Sequence, residues 1–185
     1  MQSAEAAPGN IRLLFSGGLK MELRGKAHCF GNDVNTDYII SGKYKFKTLD
    51  MKELAKHVME DLDPDFAERV QPGDFVVAGS NFGCGSSREQ APLALLNAGV
   101  GAVLAKSFAR IFYRNAINTG LPVVVCDTGL IDAGDELVVD LQSGMLKNVT
   151  QGKEIPVQPL PPIMLKILSD GGLAEHFRKY GNFNL

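Results

Sequence analysis

The chain has 185 residues, enough for one well-packed domain and a short appendage. Hydrophobic residues make up 45% and charged residues 22%, an ordinary globular balance, and no apolar run reaches the roughly 18 residues that would suggest a membrane span. A net charge of −2, with no basic run and no basic–aromatic interleaving, argues against nucleic acid as a partner.

Residues 2–10 are small and polar, and Ser16-Gly17-Gly18 is a break, so residues 1–20 are expected to be a flexible extension ahead of a domain over 21–185. An edge strand over 11–15 is the alternative. Residues 22–30 suit a short strand, and 31–37 are rich in turn formers and read as a loop. The run from Lys43 to Thr48 mixes charges with aromatics. Asp50 and Glu53 make a capping box, and Leu54, Val58 and Met59 give the helix it opens an apolar stripe, ended by Asp63-Pro64. Residues 65–70 suggest a short helix before the turn Pro72-Gly73-Asp74.

The clearest pattern follows. Residues 75–78, 100–105 and 122–126 are apolar strands without alternation, and 86–97 and 107–118 are helical. Gly99 and Gly120 stand beyond the helix ends, and Ser107 is a cap for the second helix. Strands of this kind joined by helices predict a βαβαβ unit with a parallel sheet covered on both sides. Residues 135–140 alternate, 142–144 turn, and 146–150 return, which predicts a hairpin. Helices over 163–168 and 173–180 close the chain. The fold class is α/β, a central parallel sheet flanked by helices with a smaller antiparallel sheet.

The stretch from Gly79 to Glu89 carries the chemistry: Gly-Ser-Asn-Phe-Gly-Cys-Gly-Ser-Ser-Arg-Glu. It leaves the carboxyl end of a buried strand, where open parallel sheets bind ligands. Glycines let backbone approach a ligand closely, and Arg88 can grip a carboxylate with two parallel hydrogen bonds. Ser86 and Ser87 add hydroxyls at the expected start of a helix. The simpler alternative is one serine as a helix cap and Arg88-Glu89 as a solvated pair. A phosphate-cradling P-loop is excluded because no lysine follows the glycines. Cys84 is either packing or a thiol activated by the helix N-terminus; no histidine among His28, His57 and His176 is an evident partner. Cys29, Cys84 and Cys126 include no Cys-x-x-Cys pair, so no metal site is expected in this chain. Three scattered cysteines and no secretory signal suggest a reducing cytoplasm.

Gly83-x-Gly85-Ser86-Ser87-Arg88-Glu89, then 106–111 (Lys-Ser-Phe-Ala-Arg-Ile), then Gly120-Leu121-Pro122, together with Asp33-Val34-Asn35-Thr36-Asp37 upstream, resemble the swivelling domain of the aconitase superfamily. The order from Gly25 to about Phe177 is similar to the small subunits of 3-isopropylmalate dehydratase and homoaconitase. The resemblance implies a swivelling β/β/α-type domain. It also implies a separate large subunit holding a [4Fe–4S] cluster that acts as a Lewis acid, over which this chain closes. Ser86 matches the serine that takes a proton from carbon, Ser87 and Arg88 the residues that bind substrate carboxylate, and Asp37 an aspartate of the active-site network. Lys47 falls where relatives carry a substrate-binding arginine. Two departures stand out: Gln90 where many relatives have histidine, and the Lys43–Thr48 loop, which differs among relatives with the substituent they accept.

These residues lead to an expected function: small subunit of a hydro-lyase acting on a 3-isopropylmalate-like acid in leucine biosynthesis, active only with its large subunit. Homoaconitate and dimethylmalate are the alternative substrates, and a non-catalytic carboxylate-binding module is the alternative of another class.

Overall fold

In the computed structural model, which describes residues 13–15, 19–45 and 50–182, strand β2 (Leu19–Cys29) joins two kinds of sheet. Its last three residues pair in parallel with β3 (Phe75–Ala78), which pairs in parallel with β4 (Ala102–Ala105), and that with β5 (Val123–Val125). Its middle, Glu22 to Lys26, pairs antiparallel with β6 (Glu136–Asp140), which pairs with β7 (Met145–Asn148), and that with β8 (Lys153–Pro156). The sheet order is β5-β4-β3-β2-β6-β7-β8. The two expected sheets are thus one mixed sheet, with β2 adding a fourth parallel strand to the predicted three. Beyond β8, Val157 bridges Cys126 and the Gln158 N–H donates to the Val125 carbonyl at 3.0 Å, so the sheet curls until its ends meet.

Strand β1 (Leu13–Phe15) pairs antiparallel with residues 19–21 of β2, so the edge-strand alternative describes that part of the N-terminal segment. Residues 1–12 and 16–18 lie outside the described residues, as do 46–49, which include Lys47.

Strands β3 and β4 are buried along their whole length, as their unbroken apolar runs require. Phe66, Phe75, Phe82 and Phe112 are among the largest fully buried side chains, each worth roughly 1.5–3 kcal/mol of burial. Eight helices flank the sheet among the described residues. Short α1 (Thr36–Ile39) and α3 (Met51–Ala55) pack on α5 (Gln90–Asn97); α6 (Arg110–Thr119), α7 (Pro162–Ser169) and α8 (Leu173–Tyr180) pack on one another. Two single-turn helices, α2 (Gly42–Lys45) and α4 (Phe66–Arg69), complete the set.

Three helix boundaries differ from expectation, each for a local reason. Asp50 caps α3 through the Lys52 N–H at 2.9 Å, but the helix ends at Ala55. Val58 and Met59 are buried beyond it, where Met59 takes a positive φ and donates its N–H to the Ile39 carbonyl. Helix α5 starts at Gln90, not at Ser86. Pro92 lacks an N–H and is tolerated only in a first turn, so a helix from Ser86 would put the proline in its interior. Helix α6 starts at Arg110 because Ser107, the expected cap, bonds elsewhere: its hydroxyl accepts the Asn81 N–H at 2.8 Å and its carbonyl the Phe82 N–H at 3.0 Å.

Candidate active site at the glycine loop

The loop 79–89 connects β3 to α5 and is held from two sides. From the β2–α1 side, Asn32 accepts the Ser80 N–H through its side chain at 2.8 Å, and the Val34 carbonyl accepts the Gly83 N–H at 2.8 Å. The Thr36 N–H donates to the Cys84 carbonyl at 2.8 Å, and Asn35 forms a bridge with Cys84. From the β4–α6 side, Ser107 takes two amides as described, and the Ala109 N–H donates to the Phe82 carbonyl at 2.9 Å. Gly83 and Gly85 have φ of +77° and +101°. A Cβ on Gly83 would stand 2.2 Å from the Phe112 ring, and one on Gly85 2.5 Å from the Asn35 side chain. Only glycine combines that backbone conformation with that closeness.

The loop delivers Ser86, Ser87 and Arg88 to the start of α1. Asn35 caps α1 by accepting the Asp37 N–H at 2.8 Å, which turns Thr36 and Asp37 toward the loop. The Thr36 hydroxyl, 1% exposed, accepts the Ser86 N–H at 3.1 Å and lies 3.1 Å from the Ser86 hydroxyl. With the Ser86 amide on its lone pair, the single Thr36 proton is free to be donated to Ser86 Oγ. Arg88 Nη1 donates to Asp37 Oδ1 in an ion pair whose side chains keep 21% and 52% of their surface. The pair is open to solvent, so it positions the guanidinium more than it stabilises the fold. Gly42 of α2 lies over this pair: a Cβ there would be 3.8 Å from Arg88 Nη2 and 3.9 Å from Asp37. Asn115 of α6 donates to the Ser87 carbonyl at 3.2 Å.

Four of the five expected residues, Asp37, Ser86, Ser87 and Arg88, therefore gather at one end of the parallel strands. Lys47, the fifth, lies outside the described residues. The serines stand ahead of α5 rather than on its first turn, and the contact to the Ser86 hydroxyl comes from Thr36 rather than from a helix N-terminus. Thr36, Asn35, Gly42 and Asn115 belong to the site's scaffold, and the motifs assigned none of them a role. Thr36 sits inside the quoted 33–37 run, but nothing local ties it to a serine fifty residues on.

Cys84 has its thiol 3.5 Å from the Asp33 carbonyl. Burial, with Asp127 adding, pushes the Cys126 thiol up to about 12. Burial, then Asp132 and Asp135, raise Cys29. Among the described residues no three His, Cys, Asp or Glu side chains are gathered to hold a metal ion, and no helix is long and apolar enough to cross a membrane.

A family model described as the aconitase C-terminal domain matches residues 34–127, a span that contains the whole of this constellation. The 3-isopropylmalate dehydratase small subunit 2 of Archaeoglobus fulgidus is 59% identical over 89% of this chain and 100% of that protein. The methanogen homoaconitase small subunit of Methanothermobacter thermautotrophicus is 55% identical over 85% of this chain and 91% of that protein. The crystal structure of 3-isopropylmalate dehydratase from Methanocaldococcus jannaschii superposes with a TM-score of 0.83 at 46% identity, covering 87% of this chain and 96% of that one.

Proposed function

The chain belongs to the aconitase C-terminal domain family, and on that footing we propose that it is the small subunit of a 3-isopropylmalate dehydratase. In this reading a large subunit binds it and carries a [4Fe–4S] cluster, and the pair interconverts branched 2- and 3-hydroxy dicarboxylic acids by removing and restoring water. The observation that carries the reading is the meeting of Ser86 with Thr36, and of Arg88 with Asp37, at the carboxyl end of the parallel strands. The similarity along the full length of the Archaeoglobus fulgidus relative supports the choice of substrate class. Homoaconitate and dimethylmalate are the alternatives to be assayed beside it. The functional domain spans 21–185, with β1 and the first residues of β2 adding to its sheet from the segment before it, and the reaction belongs to leucine biosynthesis in the cytoplasm.

This chain's own residues do not fit the cluster. Its three cysteines are not gathered with other ligating side chains among the described residues, and Cys126 is buried, which pushes its thiol up to about 12. The cluster is therefore assigned to the large subunit, where it supplies a Lewis acid for the departing hydroxyl. The steps that fall to this chain concern the carbon acid. Ser86 Oγ, as alkoxide, takes the proton from the carbon beside a carboxylate, and the C–H electrons form the double bond as the hydroxyl leaves the neighbouring carbon. A serine anion is far too basic to persist in water, so it needs hydrogen-bond donors fixed in place beforehand. Thr36 is one such donor. Arg88 holds a substrate carboxylate through the N–H groups that Asp37 leaves free, with the Ser87 hydroxyl beside it, and the family resemblance assigns Lys47 to substrate binding.

The test is anaerobic reconstitution with the cluster-loaded large subunit encoded in the same genome. The mixture should convert 2-isopropylmalate. Ser86→Ala should lower kcat at least about 10²-fold while the two chains still associate. Near-normal kcat in that variant would remove Ser86 as the base. A stable pair that leaves isopropylmalate untouched but turns over homoaconitate or dimethylmalate would overturn the substrate.

A further inference from the structure

Helix α6 has two faces with different business. Phe112 and Asn115 support the glycine loop, as described. The face carrying Arg110, Ile111 and Arg114 is exposed and supports no other element among the described residues. Of the six arginines among the described residues, Arg24, Arg69, Arg88 and Arg178 each pair with a carboxylate. Arg110 and Arg114 have no ion pair among the described residues, and they are one turn apart on one helix.

Their placement costs stability in the isolated chain. Like charges four residues apart on a helix repel. Arg110 is the first residue of α6, whose first turn has no acidic residue, so its charge also opposes the helix dipole. Ile111, between them in sequence and one turn from Arg114, is 52% exposed, the most exposed of the large hydrophobic side chains among the described residues. Beside these residues opens a cleft of about 400 Å³ lined by Ser107, Phe108, Arg110, Tyr113, Arg114 and Val125. Its walls are mainly apolar, with the two guanidinium groups bordering them. An occupant that presents carboxylates next to an apolar side chain relieves all three costs together.

We infer that this face of α6, with its cleft, is the docking surface for an acidic segment of the large subunit, one that offers a pair of carboxylates flanking an apolar side chain. The inference rests on the reading above that the chain works with a large subunit. The surface is continuous with the site: Ser107 borders the cleft and also holds the Asn81 and Phe82 amides, and Asn115 on the same helix holds the Ser87 carbonyl. A partner that covers Ser86 and Arg88 meets α6 next, and its grip there is transmitted to the loop through these hydrogen bonds.

The experiment measures the dissociation constant between this chain and the reconstituted large subunit by sedimentation velocity, across a range of salt. The chains compared are wild type, the double variant R110Q/R114Q, and the control K147Q/K153Q on β7 and β8. The double variant should weaken association at least about tenfold at low salt, and the gap should narrow as salt screens the interaction in wild type. The control should bind as wild type does, and melting curves of all three should agree on folding. Equal affinity of R110Q/R114Q and wild type, with the enzyme active, would overturn the docking surface and leave the proposed function standing. Failure of the wild-type chain to bind the large subunit would overturn both. Calorimetric titration of the lone chain with 2-isopropylmalate is the last arm. Binding that disappears in R110Q/R114Q, with partner affinity unmoved, would reassign the cleft to a small anion and overturn the inference.

Discussion

Thr36→Val separates the chemical part of the site from its scaffold. Valine keeps the shape, so the Asn35 cap and the Thr36 N–H bond to the Cys84 carbonyl survive. Two contacts are lost, the Ser86 N–H to Thr36 Oγ1 and the 3.1 Å contact between the hydroxyls. Leaving a buried amide unsatisfied costs about 1–3 kcal/mol, but Ser86 is only half-buried and water can replace its acceptor, which points to about 1 kcal/mol. For a domain of this size that lowers Tm by about 2–4 °C. The kinetic effect is larger. A hydrogen bond to a charged oxygen is worth about 1.5–3 kcal/mol, so losing the donor to the Ser86 alkoxide should lower kcat about 10- to 150-fold. KM should stay near wild type, because Thr36 is buried beneath Ser86 and its hydrogen bond acts on the fraction of Ser86 present as alkoxide rather than on the substrate. Thr36→Ser, which keeps the hydroxyl, should recover most of kcat. The assay is steady-state turnover of the reconstituted pair alongside thermal melts of the small subunit. A Val variant that keeps more than half of wild-type kcat would refute the donor role of Thr36.

Gly83→Ala should destabilise the chain by roughly 1–3 kcal/mol in a melting experiment, because its Cβ would stand 2.2 Å from a Phe112 ring that is itself 1% exposed; a melt that matches wild type would show that the loop and ring yield freely. Asp74→Asn should change how stability depends on acidity. Burial pushes the Asp74 carboxyl up, but hydrogen bonds from His28 and from the Lys26 and Gln71 N–H groups outweigh it and hold the carboxyl below its ordinary value of 3.8. A depressed folded pKa adds stability that is fully present above 3.8 and is lost as pH falls through the folded value. Urea melts should show the variant less stable at pH 7, with a shallower decline below about pH 4 than wild type; parallel declines would refute the assignment.

The candidate site at the glycine loop was legible because its residues are contiguous. Gly83, Gly85, Ser86, Ser87 and Arg88 need no tertiary contact to be noticed together, and the apolar run before them marks the strand that carries them. The parallel unit was legible for the same reason, since strands buried on both faces leave unbroken apolar runs. Pro92 also contained, unread, the true start of α5. What local pattern could not supply is pairing across long sequence separations. Strand β2 alternates from Met21 to His28, with Met21, Leu23 and Ala27 buried, but that alternation does not tell that Glu22 to Lys26 serve an antiparallel neighbour and the last three residues a parallel one, a division that depends on β3 and β6 being present. Strand β8, short and ending in proline, forms at the edge because β7 offers it a ladder. Met59 leaves the helical path for the Ile39 carbonyl, and Ser107 abandons a helix cap for two amides of the glycine loop. Thr36 and Ser86 meet only because the bridge at Asn35 and Cys84 lays the two loops side by side. The amino-acid sequence by itself determined which groups can do chemistry, since that depends on residue type and near neighbours. Tertiary structure alone decided which hydroxyl faces which, because a hydrogen bond acts over about 3 Å and only folding brings positions fifty residues apart within that reach.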